Sequence, residues 1–206
     1  MISYDLPRRA VAEALGAGLL VATVVGSGIM AETLTHDTAL ALLANTLATG
    51  AMLVVLITIL EPISGAHFNP AVSLVFCLNR SLPPRDLPAY LAAQFAGGIA
   101  GTIAAHLMFA LPPLEIATKL RAGPALWFSE IVATFGLVAV ILAGLRFERR
   151  AVPWLVGLFI TAAYWFTALR PSPIRPSPWR VRSPTAFPAS GRPISRVSSS
   201  PNCSAP

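Results

Sequence analysis

The chain is poor in charge: only 12% of its 206 residues are Asp, Glu, Lys or Arg, while 55% are hydrophobic. Together with a mean hydropathy of +0.68, this excludes an ordinary soluble domain, in which about a quarter of the residues are charged. Only two cysteines are present, Cys77 and Cys203, and they suggest no disulfide framework. The composition therefore indicates a membrane protein.

Patterns that carry catalysis or bind cofactors are also missing. The sequence contains no Ser/His/Asp set, no phosphate-binding loop and no cluster with metal-ligand spacing. We therefore expect no enzyme activity, no cofactor and no bound metal. The N-terminus lacks the short apolar segment with a small-residue cleavage site that marks a signal peptide. The first apolar run is accordingly predicted to be a helix of the mature protein.

Acidic residues are absent from the stretch 170–206, which holds six arginines and nine prolines. The residues before it carry nine basic and nine acidic side chains, so the formal net charge of +6 belongs to this stretch. We therefore divide the chain into a transmembrane domain, 1–169, and a Pro/Arg/Ser-rich tail, 170–206, that is predicted to be disordered. A stretch that is rich in arginine and has no acidic residue could bind nucleic acid or anionic lipid.

Five apolar stretches are long enough to cross a bilayer, which takes about 20 residues. They are, roughly, 10–31, 39–62, 86–110, 125–145 and 151–169. If the N-terminus is cytoplasmic, only Lys119 and Arg121 of this domain fall on the far side. Seven cations then lie on the cytoplasmic side: Arg8, Arg9, Arg80, Arg85, Arg146, Arg149 and Arg150. This bias predicts a cytoplasmic N-terminus.

A shorter apolar segment, 67–78, lies between the second and third spans and would enter and leave on the cytoplasmic side. At about 1.5 Å per residue it reaches only halfway across the membrane, so it is predicted to be a re-entrant loop in a protein-lined cavity. Asn69 suits the cap of a helix and Pro70 its first turn. Such a half-helix directs N–H donors and the positive end of its dipole towards the membrane centre. These donors can bind a neutral polar solute and repel cations.

Two glutamates stand early in apolar spans, Glu13 in AEALGAGLLVATVVGSG and Glu130 in SEIVATFGLVAVILAG. The two segments form a faint internal repeat whose second copy is inverted in the membrane, an arrangement found in transport proteins. Carboxylates within a membrane indicate function by default. Two roles stay open: support of the loop backbone, or proton coupling in a secondary transporter that uses both glutamates.

The stretch ISGAHFNPAV, the paired glutamates and AAQFAGGIAG in the third span resemble the aquaporin and aquaglyceroporin family over about residues 5–168. The resemblance implies an all-α integral membrane protein, an inverted-repeat helical bundle of six tilted helices and two half-helices that each begin with Asn-Pro-Ala. Asn69, Pro70 and Ala71 match the first of these motifs. The resemblance further implies a homotetramer with a pore in every subunit, in a bacterial-type plasma membrane.

The second half-helix and the sixth span of that fold are missing, and the sequence continues instead as the Pro/Arg/Ser-rich tail. From Pro173 to Val181, codons formed from the third base of one residue and the first two of the next permit Asn-Pro-Ala-Val-Thr-Val-Ala-Arg. We therefore interpret the tail as a shifted reading frame that begins near 168–172, with accidental arginines and no nucleic-acid partner. About five spanning helices and one half-helix remain. A non-functional truncated product, which folds poorly or conducts nothing, is then the alternative to a passive channel.

The resemblance also predicts where the solute is selected. Twenty residues before Asn69 lies Thr49, and the matching position in the fifth span is about Ala162. Water-selective members carry Phe and His at these two positions. The smaller residues found here imply a wider passage, open to water, glycerol or neutral metalloid acids.

The remaining candidates are side chains predicted to shape the pore and the bundle. His67 and Phe68 precede the cap and are expected to brace the loop or to line the pore. Glycines predicted to allow close contact between helices are Gly16, Gly18, Gly97 and Gly101. Aromatic residues predicted to anchor the spans at the membrane interface are Trp127, Tyr164 and Trp165.

Overall fold

The computed structural model describes residues 4–113 and 123–167, which contain six α-helices and no β-strand. The helices are α1 Leu6–Leu34, α2 Thr38–Ser64, α3 Pro70–Leu78, α4 Leu87–Met108, α5 Pro124–Phe147 and α6 Val152–Phe166. One turn of 3-10 helix, Arg149–Ala151, precedes α6. Lys119, Arg121, Cys203 and the tail 170–206 lie outside the described residues.

Local sequence signals account for the helix ends. Asp37 caps α2, since its Oδ1 accepts the N–H groups of Ala39 at 2.8 Å and Leu40 at 3.1 Å. Gly65 ends the same helix in a left-handed conformation (φ 91°), and its N–H group donates to the Glu61 carbonyl at 3.0 Å. Each of the other five helices has proline in its first two positions, where the missing N–H costs nothing. These are Pro7, Pro70, Pro88, Pro124 and Pro153.

Four helices are long and apolar enough to cross a membrane: α1, α2, α4 and α5. They confirm four of the five predicted spans. The fifth, predicted over 151–169, is found as α6, whose 15 residues rise only about 22 Å. That is less than the hydrocarbon thickness of about 30 Å. The last two residues of the predicted span lie outside the described part of the chain.

Two ion pairs bring helix ends together at one side of the bundle. Arg9, near the start of α1, lies 2.9 Å from Asp86, just before α4. Arg149, which follows α5, lies 2.6 Å from Glu61, near the end of α2. Hence α1 and α4 begin at the side where α2 and α5 end, which is the alternation of direction that the predicted topology requires. We call this side the Arg9 end.

The helices contact one another in a closed series. α4 packs on α1, α1 on α2, α2 on α6 and α6 on α5, while the short α3 touches both α4 and α5. Within the described ranges, α3 is therefore the helix that joins α4 to α5 and closes the series. Its position places the Asn69 cap among the long helices.

Glycines set the closest contact, the one between α1 and α4. A Cβ atom added at Gly97 would overlap the carbonyl oxygen of Ala14, and one at Gly101 would overlap that of Gly18. The two helices thus lie backbone against backbone, which confirms the predicted role of these small residues. The contact carries Glu13 on α1 into reach of side chains on α4.

Candidate pore site around the re-entrant segment

The re-entrant segment, residues 65–78, consists of a short loop and the helix α3. Asn69 caps α3 by accepting the N–H group of Ala71 at its Oδ1, over 2.8 Å, and Pro70 occupies the first helical position. Because the cap uses the oxygen, the Asn69 amide nitrogen remains as a donor, and it donates to no residue in the described ranges. The start of a helix adds backbone donors and a partial positive charge. The site is therefore a donor-rich end of a helix within an apolar bundle.

The loop that leads to Asn69 has an unusual backbone. Gly65, Ala66 and Phe68 all have positive φ angles, of 91°, 51° and 50°. Glycine adopts this conformation freely, whereas other L-residues lose about 1–2 kcal/mol each. The surroundings of the loop must therefore hold Ala66 and Phe68 in place.

Glu13 provides several of the contacts that fix the loop backbone. It is fully buried, and its carboxylate accepts the backbone N–H groups of His67 at 3.0 Å and Phe68 at 2.8 Å. Side chains add two more hydrogen bonds, from the Ser64 hydroxyl at 2.7 Å and from Gln94 Nε2 at 2.8 Å. All four partners are donors, which matches an ionised carboxylate because that group only accepts. The hydrogen bonds offset the cost of burying the charge.

His67 lies in a buried contact beside this carboxylate. Its Nδ1 is 3.1 Å from the hydroxyl oxygen of Ser73, and that oxygen also accepts from Gln94 Nε2 at 2.8 Å. The hydroxyl proton is then available to His67 Nδ1, an arrangement that favours the neutral imidazole with its proton on Nε2. The ring packs against Phe76 and Tyr90, at centroid distances of 4.4 and 5.3 Å. The structure thus surrounds His67 with protein.

Phe68 packs against α1. Its ring lies where a side chain at Gly16 would otherwise stand, since a Cβ atom there would overlap the ring. Phe68 is buried and belongs to the same apolar cluster as Leu53, Val72 and Val156. Through Phe68 the loop is therefore fixed to the inside of the bundle.

The two positions predicted for solute selection have different surroundings. Thr49 is buried, with 2% of its surface exposed, and its hydroxyl donates to the Asn45 carbonyl at 2.8 Å. Tyr164 of α6 lies close enough to interact with Thr49, whereas Ala162 is exposed on α6. Tyr164 is half-buried, and its role as an interface anchor stays a prediction.

Glu130 does not join Glu13. It lies exposed on the second turn of α5, and within the described ranges α5 makes no contact with α1. Trp127 and Trp165 are also exposed, by 63% and 50%, as interface anchors would be. No group of three or more His, Cys, Asp or Glu side chains that could hold a metal occurs in the described part of the chain.

Sequence reasoning missed several polar partners of the loop. Ser64 and Ser73 lie on either side of the Asn69-Pro70-Ala71 motif, and the sequence analysis assigned neither of them a role. Tyr90 stands four residues before Gln94, which puts both side chains on one face of α4. The four-residue spacing of Tyr90 and Gln94 within an apolar span was the feature of the sequence that indicated a buried polar site.

A family comparison identifies the bundle. The family model for the major intrinsic proteins matches residues 1–174. The chain belongs to the major intrinsic protein family. This confirms the resemblance seen in the sequence and the all-α membrane bundle, and the protein is an integral membrane protein of a family of channels.

Individual relatives give the same result. The chain is 72% identical over 168 residues to aquaglyceroporin AqpS of Rhizobium meliloti (strain 1021), a match that covers 82% of this chain and 72% of that protein. It is 34% identical to aquaporin NIP2-1 of Oryza sativa subsp. japonica and 31% identical to putative aquaporin NIP4-1 of Arabidopsis thaliana. These matches cover 80% and 75% of this chain, and 54% of each plant protein. The chain thus spans about half the length of these plant relatives.

Proposed function

We propose that the chain is a passive channel for water and small neutral solutes such as glycerol. The observation that carries this proposal is the start of α3, where Asn69 uses its oxygen for the cap and keeps its amide donors. An uncharged solute can accept hydrogen bonds from these donors, while the positive end of the helix dipole repels cations. The names of the relatives, aquaporins and an aquaglyceroporin, support the same class of solute.

In this proposal Asn69, Pro70 and Ala71 form the pore motif, and Glu13, His67 and Phe68 hold it. Solute selection involves Thr49, which Tyr164 of α6 approaches, and Ala162 on the same helix as Tyr164. The small side chains of Thr49 and Ala162 favour a passage wide enough for glycerol or a neutral metalloid acid. Hydroxyl groups at this level offer the polar contacts that such solutes need.

A secondary transporter is less well supported. Glu13 already accepts four hydrogen bonds, so few of its lone pairs remain for a coupling ion. Glu130 is exposed on a helix that does not contact α1. The two glutamates therefore do not form one ion site.

We also propose a cytoplasmic N-terminus, a bacterial-type plasma membrane and a homotetramer. The Arg9–Asp86 and Arg149–Glu61 ion pairs lie at the Arg9 end, where seven of the nine cations of the transmembrane domain are predicted, and positive charge favours the cytoplasmic side. Large apolar side chains exposed on α1, Val11, Leu15 and Leu19, offer a surface for lipid or for a neighbouring subunit. Family membership favours a tetramer.

Replacing Asn69 by Asp tests the role of its donors. Asp keeps an oxygen for the cap but removes the two N–H donors and adds a negative charge. Stopped-flow light scattering measures the permeability of proteoliposomes to water and glycerol. We expect both permeabilities to fall about tenfold, the equivalent of one hydrogen bond of roughly 1.4 kcal/mol.

Asn79→Asp, at the other end of α3, is the matched control and should conduct like the wild type. Equal fluxes through Asn69→Asp and wild type would contradict the proposed motif. A wild type that conducts nothing would favour the non-functional alternative.

A further inference from the structure

A buried hydroxyl group holds the point at which α2 turns into the re-entrant segment. Tyr90 has no exposed surface, and its hydroxyl donates to the carbonyl oxygen of Ser64, the last residue of α2, over 2.6 Å. The Ser64 hydroxyl in turn donates to Glu13 at 2.7 Å. Ser64 is thus held from both its backbone and its side chain.

The Tyr90 hydroxyl also contacts an ion pair, which is formed by Arg9 and Asp86. Arg9 Nε donates to the Tyr90 oxygen at 3.0 Å, and Arg9 Nη1 donates to Asp86 Oδ2 at 2.9 Å. Both charged side chains are mostly buried, with exposures of 21% and 10%. The Tyr90 hydroxyl therefore accepts from a guanidinium group while it donates to Ser64, and hydrogen bonds in such a chain strengthen one another.

The groups around this chain of contacts are few. The exposed Arg85 approaches the other oxygen of Asp86 at 3.7 Å. The His67 ring lies against the Tyr90 ring, and Glu13 is joined to both through Ser64 and the loop backbone. Among the described residues, no charged side chain forms a hydrogen bond with the Asn69 amide.

The hydrogen bond from Tyr90 to the Ser64 carbonyl is important because Ser64 lies directly before the loop that leads to Asn69. Ser64 is followed by Gly65 and Ala66, both with positive φ angles, and Asn69 comes only five residues later. Because this backbone is strained, it keeps its course only where its surroundings fix it. The Ser64 carbonyl is therefore one of the points that fix the course of the chain to the start of α3, together with the Glu13 contacts of His67 and Phe68.

We propose that Tyr90 is a positioning residue for the pore segment, and that the Arg9–Asp86 ion pair acts through its hydroxyl. A contact at the Arg9 end of the bundle then sets the placement of Asn69, which none of these three side chains touches. The inference rests on the proposed channel function and adds a control on the same site.

The test is Tyr90→Phe, which removes the hydroxyl and keeps the ring. In nanodiscs, amide hydrogen exchange of peptides covering 65–72 should become about tenfold faster, since the loss of one hydrogen bond frees the segment. Peptides of α5 should exchange as in wild type. Water permeability of proteoliposomes should fall in the same variant. Tyr4→Phe, the same substitution at a tyrosine just before α1, is the matched control and should change neither measurement.

A double variant separates this role from general stabilisation. Asp86→Asn should speed the exchange of 65–72, but less than Tyr90→Phe does. The combination should exchange no faster than Tyr90→Phe alone, because the ion pair acts through the missing hydroxyl. Additive effects, or faster exchange throughout α1, α4 and α5, would overturn the proposal.

The two proposals fail in different ways. If the wild type conducts no water, the channel function fails, and the exchange measurement still decides the role of Tyr90. If the wild type conducts, and Tyr90→Phe matches it in both exchange and permeability, the positioning role is wrong while the channel function stands.

Discussion

Glu13 is a charged side chain at a completely buried position, and each of its four hydrogen-bond partners is a donor. Its importance could be predicted from sequence because carboxylates within apolar spans are rare and costly. The same holds for Asn69, whose pairing with Pro70 is a local helix signal.

The roles of Tyr90 and Ser73 could not be predicted from the sequence, because their partners depend on how α4 and the loop pack in three dimensions.

At the residue scale we predict that Glu13→Gln loosens the loop. The glutamine amide would turn an N–H group towards donors that now bind the carboxylate, leaving at least one buried donor without a partner. The expected cost is about 1–3 kcal/mol, seen as a lower thermal midpoint in detergent and a lower water permeability. Glu32→Gln, an exposed glutamate on the same helix, should change neither. A Glu13→Gln protein with wild-type stability and flux would show that the carboxylate is dispensable.

Helix α4 approaches α1 so closely that its glycines leave no room for a side chain. Apolar run lengths predicted the long helices to within a few residues, since each crossing needs a fixed length of apolar chain. Small residues also predicted that some helices approach closely. The sequence did not show which helices meet, and it did not predict that α6 would be only 15 residues long within the described ranges.

At the element scale we predict opposite effects for two adjacent glycines of α4. Gly97→Ala places a Cβ atom on the Ala14 carbonyl, so α1 and α4 must separate, at a cost of about 1–3 kcal/mol. Gly98→Ala meets only Val21 Cγ2 at an ordinary 3.7 Å and should be neutral or slightly stabilising, since Ala favours a helix. Thermal unfolding in detergent, followed by circular dichroism, compares the two. Equal thermal midpoints would contradict the close contact.

On the largest scale, the described residues form a bundle in which the ends of α2 and α5 lie at the same side as the starts of α1 and α4. Two ion pairs hold this side together, Arg9–Asp86 and Arg149–Glu61. Membrane class and the alternating directions of the helices could be predicted from the apolar runs, while the cytoplasmic N-terminus inferred from the arginines stays a prediction. The partners within each ion pair could not, because 77 and 88 residues separate them in the chain.

At this scale we predict that the Arg9 end faces the cytoplasm. In a variant in which Cys77 and Cys203 are replaced by serine, Ser81→Cys places one thiol in the exposed turn after α3. A membrane-impermeant maleimide should label it in inside-out membrane vesicles and leave it unlabelled in intact spheroplasts. The reverse pattern would invert the proposed orientation.

The most direct test of the account is solute flux through the whole chain. Purified protein is reconstituted in proteoliposomes, and water and glycerol permeabilities are measured by stopped-flow light scattering, with and without a proton gradient. The account predicts that both solutes pass faster than through protein-free vesicles and that the gradient makes no difference. Flux equal to that of protein-free vesicles, or flux that requires the gradient, would contradict it.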